Sequence, residues 1–443
     1  MILRRSAPPP RAGAFARRAL FVTTLGLVAA ACAATADRTT RDASVDAPSP
    51  TDTPSSPDTP STAADVPTGP CVWRAGEAVV LTATTSAAPH RTLLDLRPAE
   101  GGAWALTRDD AGGSRLPDLA LERIDADGRR RAAVRLPAGF SPETASLVVD
   151  ESFGRRAVLA ESRVPSFEGC ALLPLNAAGE PSTPRTITVP PGGFSLGGCR
   201  DLLANATGYS FLTEQIRAQW GVEMLQLAPD GQSLPRTLDP LFEGAPDGAF
   251  GRFALPDQGF LFARLPWRRT PSESTALLLQ RFNAAGISAT PVRTVIEVAG
   301  VIREQVVLAA GDGLLALWEE AAETSGPYRV RARSLEPDGA PRGDARVVIE
   351  PGFYQGGLAA TLARGDVLAL GITGSGVLRA TVLPLAPEGS PRGAAVPLPM
   401  PAGASVVERA RIIATPRGAL AVFTTDPGRF PNQLVAVPLS CAP

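Results

Sequence analysis

The sequence predicts an all-β fold closed into a ring, and three observations carry that expectation. First, six segments end alike, on a turn glycine after an apolar run: "LERIDADGRR", "LLPLNAAGEP", "LQLAPDGQS", "LQRFNAAGIS", "RSLEPDGAPRG" and "LPLAPEGSPRG". Their glycines, Gly128, Gly179, Gly231, Gly286, Gly339 and Gly389, are 51, 52, 55, 53 and 50 residues apart. Second, the stretches around each turn read as short strands, and no helical pattern of useful length interrupts them. Third, the chain from Cys71 begins with the strand that its last repeat lacks. Four short strands recurring about every 50 residues describe the blade of a β-propeller.

Each strand of the blade is legible. An opening strand such as "EQVVLAA" or "ARIIATP" leads into a more apolar run: "AWALTR", "RAVLAES", "YSFLTEQ", "FLFARL", "LLALWEE", "VLALGIT" and "ALAVFTT". Seven such runs predict seven blades. The third strand is half-exposed: "RVRARSL" (329–335) alternates Arg with Val330, Ala332 and Ser334, a period of two. Asp-Gly, Glu-Gly and Ala-Gly then make a tight hairpin in which Gly supplies the positive φ. A fourth strand follows, as in "ARVVIEP" and "AAVPLP". Phe140, Phe194 and Phe353 recur after Pro-x-Gly or Pro-Gly at matching positions, as packing anchors between blades.

The final repeat stops early. "LVAVPLS" fills its third-strand position, while "CVWRAGEAVVLTA" aligns with the fourth strands of the preceding repeats, Gly76 falling on Gly343 and Gly393. The N-terminal strand therefore completes the last blade. Cys441 and Cys71 then fall side by side, where the other blades have a hairpin turn. Setting Cys32 apart, four cysteines remain and allow three pairings. Cys170 starts a third strand and Cys199 the next blade's first strand, both on the opposite face from Cys71 and Cys441. A crossed pair has to span a strand of about 20 Å, whereas bridged Cα atoms lie within about 7 Å. The predicted disulfides are Cys71–Cys441 and Cys170–Cys199, which suits an oxidising compartment.

Ahead of the repeats, arginines at 4, 5, 11, 17 and 18 precede an apolar run from Ala19 to Ala31, too short to span a bilayer. That is a secretory signal over 1–31. Residues 33–70, including "DASVDAPSPTDTPSSPDTPSTAADVPTGP", have too little apolar surface to offset the entropy of ordering and are expected to be a Pro-stiffened tether. The run "VAAAC" resembles the lipobox of bacterial lipoproteins, departing from it at Ala29, where that family usually has Leu. The resemblance implies lipidation of Cys32 and a membrane anchor, with Cys32 and the tether filling 32–70 and the propeller 71–443. A plain signal peptide cut at "ATA" is the alternative. The whole chain is similar to secreted bacterial β-propeller lipoproteins of unassigned reaction, held at the cell envelope on its periplasmic or outer side.

Composition narrows the function. With 43 basic and 44 acidic residues the net charge is −1, so no field concentrates nucleic acid. Every basic residue is Arg. At 44% hydrophobic residues the repeats can fill a large core. The one histidine, His90, has no His partner for a zinc site, and no G-x-S-x-G surrounds a serine. "D-x-D-G" at 125–128 lacks the other ligands of a calcium loop. The Asp-Gly turns resemble those of sialidase-type propellers in turn chemistry alone, lacking the flanking Ser and the Thr-Trp. No catalytic residue, metal or cofactor is assigned. The connections of one face vary in length and carry Arg163, Phe167, Arg217, Trp220, Trp267, Arg268, Arg269, Tyr328, Arg429 and Phe430. Aromatic-plus-Arg surfaces suit sugars or peptides. The expectation is a monomeric, non-catalytic binding or scaffolding protein holding a glycan or protein ligand on that face. The alternative is a polysaccharide-acting enzyme with carboxylates at the central pore.

Overall fold

The computed structural model describes residues 71–442 apart from short stretches, the longest being 82–89, 188–195 and 267–273. The signal segment, Cys32 and the tether lie outside the described residues. Among the described residues there is no helix, and the strands form seven antiparallel sheets, one per blade. The repeated turn behaves as its chemistry dictates. Gly128 and Gly339 take φ of +80° and +86°, conformations that a Cβ disfavours, and Asp125 Oδ1 accepts the N–H groups of Asp127 and Arg129 at 3.0 and 2.8 Å.

The inner strands are His90–Ala99, Phe140–Asp150, Leu196–Asn205, Gly248–Ala254, Val301–Ala310, Ala359–Ala363 and Ser405–Thr415 for blades 1 to 7. Each packs against the next, and Ser405–Thr415 packs against His90–Ala99, so the ring closes. Because strand side chains alternate, each blade buries one row against the blade before it and the other against the blade after. Trp318, Phe211, Phe262 and Phe423 are fully buried in these interblade layers, each worth about 1.5–3 kcal/mol of transfer free energy. Phe140 is buried between blades 1 and 2, as an anchor should be; Phe194 and Phe353 lie outside the described residues.

Closure follows the expected route. Val72–Ala75 pairs antiparallel with the last strand, Gln433–Ala442, and Val79–Val80 continues the pairing beyond Gly76. Trp73 stands opposite Cys441. Cys71 and Cys441 are bonded with Cα atoms 5.3 Å apart, and Cys170–Cys199 joins blades 2 and 3 at 6.0 Å. Two such bonds fit an extracytoplasmic protein. The N-terminal strand is also tied sideways: Trp73 Nε1 donates to Asp366 Oδ2 at 2.8 Å, and Arg392 Nη1 donates to Asp366 Oδ1 at 2.9 Å.

The arginines that replace lysine lace blades together. Arg155 of blade 2 caps the carbonyls of Gly208 and Ala206 in blade 3 at 2.7 and 3.0 Å. Arg281 of blade 4 caps Pro337 of blade 5 at 2.8 Å, and Arg417 of blade 7 pairs with Asp127 of blade 1 at 2.6 Å. A planar fork with several donors does this better than an ammonium.

Candidate functional site: carboxylates of the inner ring

Five inner strands lose register with their partners, between Leu93 and Asp95, Ser141 and Ser146, Arg200 and Leu203, Ile302 and Gln305, and Val406 and Ala410. A bulge leaves backbone groups unpaired and turns a side chain out of the alternation. Side chains of neighbouring blades also accept backbone N–H groups along this inner edge. Asp95 Oδ2 accepts the Leu147 N–H at 3.1 Å, and Ser146 Oγ accepts that of Leu202 at 3.4 Å. Glu304 Oε2 accepts the N–H groups of Gly357 and Leu358, both at 2.9 Å. Thr361 and Thr424 do the same for Ala414 and Leu93. Asp95 is further bridged by Arg97, which also donates to the Leu147 carbonyl at 2.9 Å. Asp95 and Glu304 are therefore stitched into the scaffold.

Asp201 is built differently. Like Asp95 it directly precedes a buried Leu of its inner strand, but its φ is +52°. That left-handed region is tolerated by Asp at a cost. Arg252, buried in blade 4, holds it. Its guanidinium donates to the Asp201 carbonyl, to the Ser210 carbonyl at 2.6 Å and to Ser210 Oγ at 2.9 Å. It also lies 5.2 Å from the centroid of the Phe260 ring. Burial pulls the Arg252 pKa down to about 9, against the opposing pull of the Asp201 charge. The guanidinium is still a cation at neutral pH. It sets a desolvated positive charge beside the one inner-ring carboxylate that the described strands carry on left-handed backbone.

A second charged group sits in blade 1. Arg91 donates from Nε and Nη2 to Asp109 at 2.6 Å each and from Nη1 to Glu122 Oε1, while Arg130 pairs with Glu122 Oε2 at 2.8 Å. Burial pushes the Glu122 carboxyl above its usual range, against the pull of Arg91 and Arg130. A raised carboxyl beside another carboxylate is a familiar acid–base arrangement. Here Glu122 is 0% exposed and Asp109 6%, so no substrate reaches them. The cluster joins the strands of blade 1.

Tyr328 corrects the loop-face expectation. It opens the third strand of blade 5, is 6% exposed, and has the Arg303 guanidinium 5.6 Å from its ring centroid. The alternation of "RVRARSL" simply extends back to it, so Tyr328 is a core aromatic. Trp220 opens the third strand of blade 3, opposite Ile216, and Arg163 and Phe167 lie at strand ends in blade 2. Arg217, Trp267, Arg268, Arg269, Arg429 and Phe430 lie outside the described residues. His90 opens the inner strand of blade 1, opposite Asp110. Among the described residues no group of three or more His, Cys, Asp or Glu could hold a metal. The inner-ring acids went unassigned in the sequence, although "TLLDLR", "CRDLLA" and "VIREQV" each set an acid in an apolar opening strand.

Solved structures share this architecture at low identity. The puromycin hydrolase S511A mutant complexed with PGG is 18% identical over 78% of this chain, with a TM-score of 0.52, and the match covers 51% of that chain. The present chain thus spans about half that hydrolase's length. Polysaccharide lyase Uly1 is 10% identical over 81% of this chain and 91% of its own, with a TM-score of 0.49. The β-propeller domain of the Trilobed protease from Pyrococcus furiosus is 9% identical over 79% and 94%, at 0.45. No protein-family model matches the chain, and no curated protein is similar to it. These likenesses are of fold. The sharing of that fold with half of a hydrolase nonetheless corrects the expectation of a non-catalytic binding or scaffolding protein, and the enzyme alternative is the one carried forward.

Proposed function

We propose that this chain is an extracytoplasmic enzyme acting on polysaccharide, with inner-ring carboxylates as its acid–base groups and Asp201 foremost among them. What carries the reading is the pairing of Asp201's left-handed backbone with the buried cation of Arg252. Strained backbone held by its surroundings gathers at reacting centres, and glycosidic chemistry runs on carboxylates placed in unlike environments. Asp95 and Glu304, on the inner strands of blades 1 and 5, hold the ring in shape around it. In this reading Cys32 carries the lipid, residues 32–70 space the propeller from the membrane, and a monomer works at the envelope. Trp220, Trp267, Arg268, Arg269, Arg429 and Phe430 contact the glycan on the variable face.

The test is turnover of neutral and acidic cell-wall or capsular polysaccharides by the purified full chain, followed as new reducing ends or unsaturated products. Asp201→Asn should lower turnover by about a hundredfold or more, the scale of one acid–base group, while still melting cooperatively at a temperature that keeps it folded in the assay. Release of no product from any of the polysaccharides, or full activity in Asp201→Asn, overturns the proposal.

A further inference from the structure

On the face of the short first-to-second turns, opposite the variable connections, the ends of the inner strands of blades 2, 3 and 4 enclose a cavity of about 210 Å3. Its wall includes Asp150, Ser152, Phe153, Asn205, Ser210 and Phe260. The volume is roughly that of seven waters in the liquid, the size of one sugar ring.

Asn205 is the informative residue. It is 6% exposed, and its Oδ1 accepts the Thr207 N–H at 3.0 Å and the Thr207 hydroxyl at 2.9 Å. That fixes the amide, and its Nδ2 has no hydrogen-bond partner among the described residues while it lines the cavity. That donor is open to a ligand in the cavity. Asp150 is built the same way. Its Oδ1 is spent on the Ser152 and Phe153 N–H groups at 3.0 and 3.1 Å and on the Ser152 hydroxyl, leaving Oδ2 as an acceptor.

We infer that this cavity binds a single neutral sugar ring, as a site separate from the inner-ring carboxylates: Asn205 Nδ2 donates to a ring hydroxyl, Asp150 Oδ2 accepts from another, and Phe153 and Phe260 supply the apolar wall. The Asp150 carboxylate repels an anion, and among the described residues no group of three or more His, Cys, Asp or Glu could hold a metal ion. Arg252 is committed to Ser210 and to the Asp201 carbonyl. A donor, an acceptor and an aromatic wall, with no net charge demanded, match a polyol. The inference goes beyond the proposed reaction and does not depend on it.

Saturation-transfer NMR of the full chain with glucose, galactose and N-acetylglucosamine, each at millimolar concentration, tests it. At least one sugar should show transfer. Asn205→Asp keeps the turn-holding Oδ1 and replaces the donor with an oxygen. Asp150→Asn keeps its own Oδ1 and replaces the acceptor with an amide. Each variant should weaken binding by about tenfold, the value of one hydrogen bond, while folding as judged by its melting curve. Asp201→Asn should keep the sugar signal whatever it does to turnover, which separates failure of this site from failure of the proposed reaction. No transfer to any of the three sugars overturns the inference, as does wild-type binding by both cavity variants.

Discussion

Blades 6 and 7 meet each other and the N-terminal strand across a broad apolar layer running from Trp73 through Leu370 and Phe423 to Leu439. A disulfide and the Trp73–Asp366–Arg392 link secure that layer further. Among the described residues, blades 3 and 4 meet across Leu212, Met224, Phe260, Phe262 and Phe282, with the Arg252 guanidinium beside them. There, too, lie the left-handed Asp201 and the sugar-sized cavity. The contrast teaches a division of labour. A ring has to be held hardest where its chain ends meet, and once held there it tolerates polar, irregular packing on another side. Polar groups that weaken a core are those able to recognise something.

The largest effect should come from the sulfur bonds. Cys441→Ser frees a loop of 370 residues and Cys170→Ser one of 29. The loop-entropy account gives at most about 6 kcal/mol for the first and about 3.6 kcal/mol for the second. Denaturant unfolding of the two variants measures this, and equal losses break the comparison. Next comes Asp366→Ala. Asp366 is 2% exposed, and its removal strands the Trp73 indole N–H, at a cost of about 2 kcal/mol. The half-exposed Arg392 adds little. A melting temperature unmoved by that change shows that the sulfur bridge and the strand pairing hold the closing strand without Asp366.

The smallest effect sharpens the comparison from within blade 1. The Glu122 carboxyl is raised above 4.5 in the folded chain by burial. A raised acid holds its proton more tightly when folded. Its contribution is therefore fully present below the unfolded value and is lost as pH rises through the folded one. Relative to Glu122→Gln, the wild type should lose stability between pH 4.5 and neutrality, by less than the disulfide effects. Melting curves of both proteins across that interval check it; a constant difference means that Arg91 and Arg130 fully compensate for the burial.

The ring, its closure and both disulfides were legible because they follow from periodicity. A turn glycine every 50 or so residues fixes blade count, and a period of two fixes faces. The enzyme-like features were not, and the reason is physical. The partners of Asp201 and Arg252 lie about one blade apart in sequence, so no local pattern joins them. The inner-strand bulges insert single residues that periodicity averages away. Tyr328 misled because "ETSGPY" reads as a connection up to its last residue, whereas the strand alternation begins on that residue. The cavity near Asn205 was hidden by the uniformity of the turns around it, which look like pure structure until three of them are placed together.

One feature of the closing strand bears on mechanics. Any pull arriving along the chain ahead of Cys71 meets the sulfur bridge at the first residue of the fold, before it meets a single hydrogen bond of Val72–Ala75. The load passes directly into the last strand, Gln433–Ala442, which is flanked on both sides by partners. Without that bridge the same tug would peel the edge strand one bond at a time. With it, those rungs are bypassed and the load enters a strand held on both sides, so the edge strand keeps its place under tension.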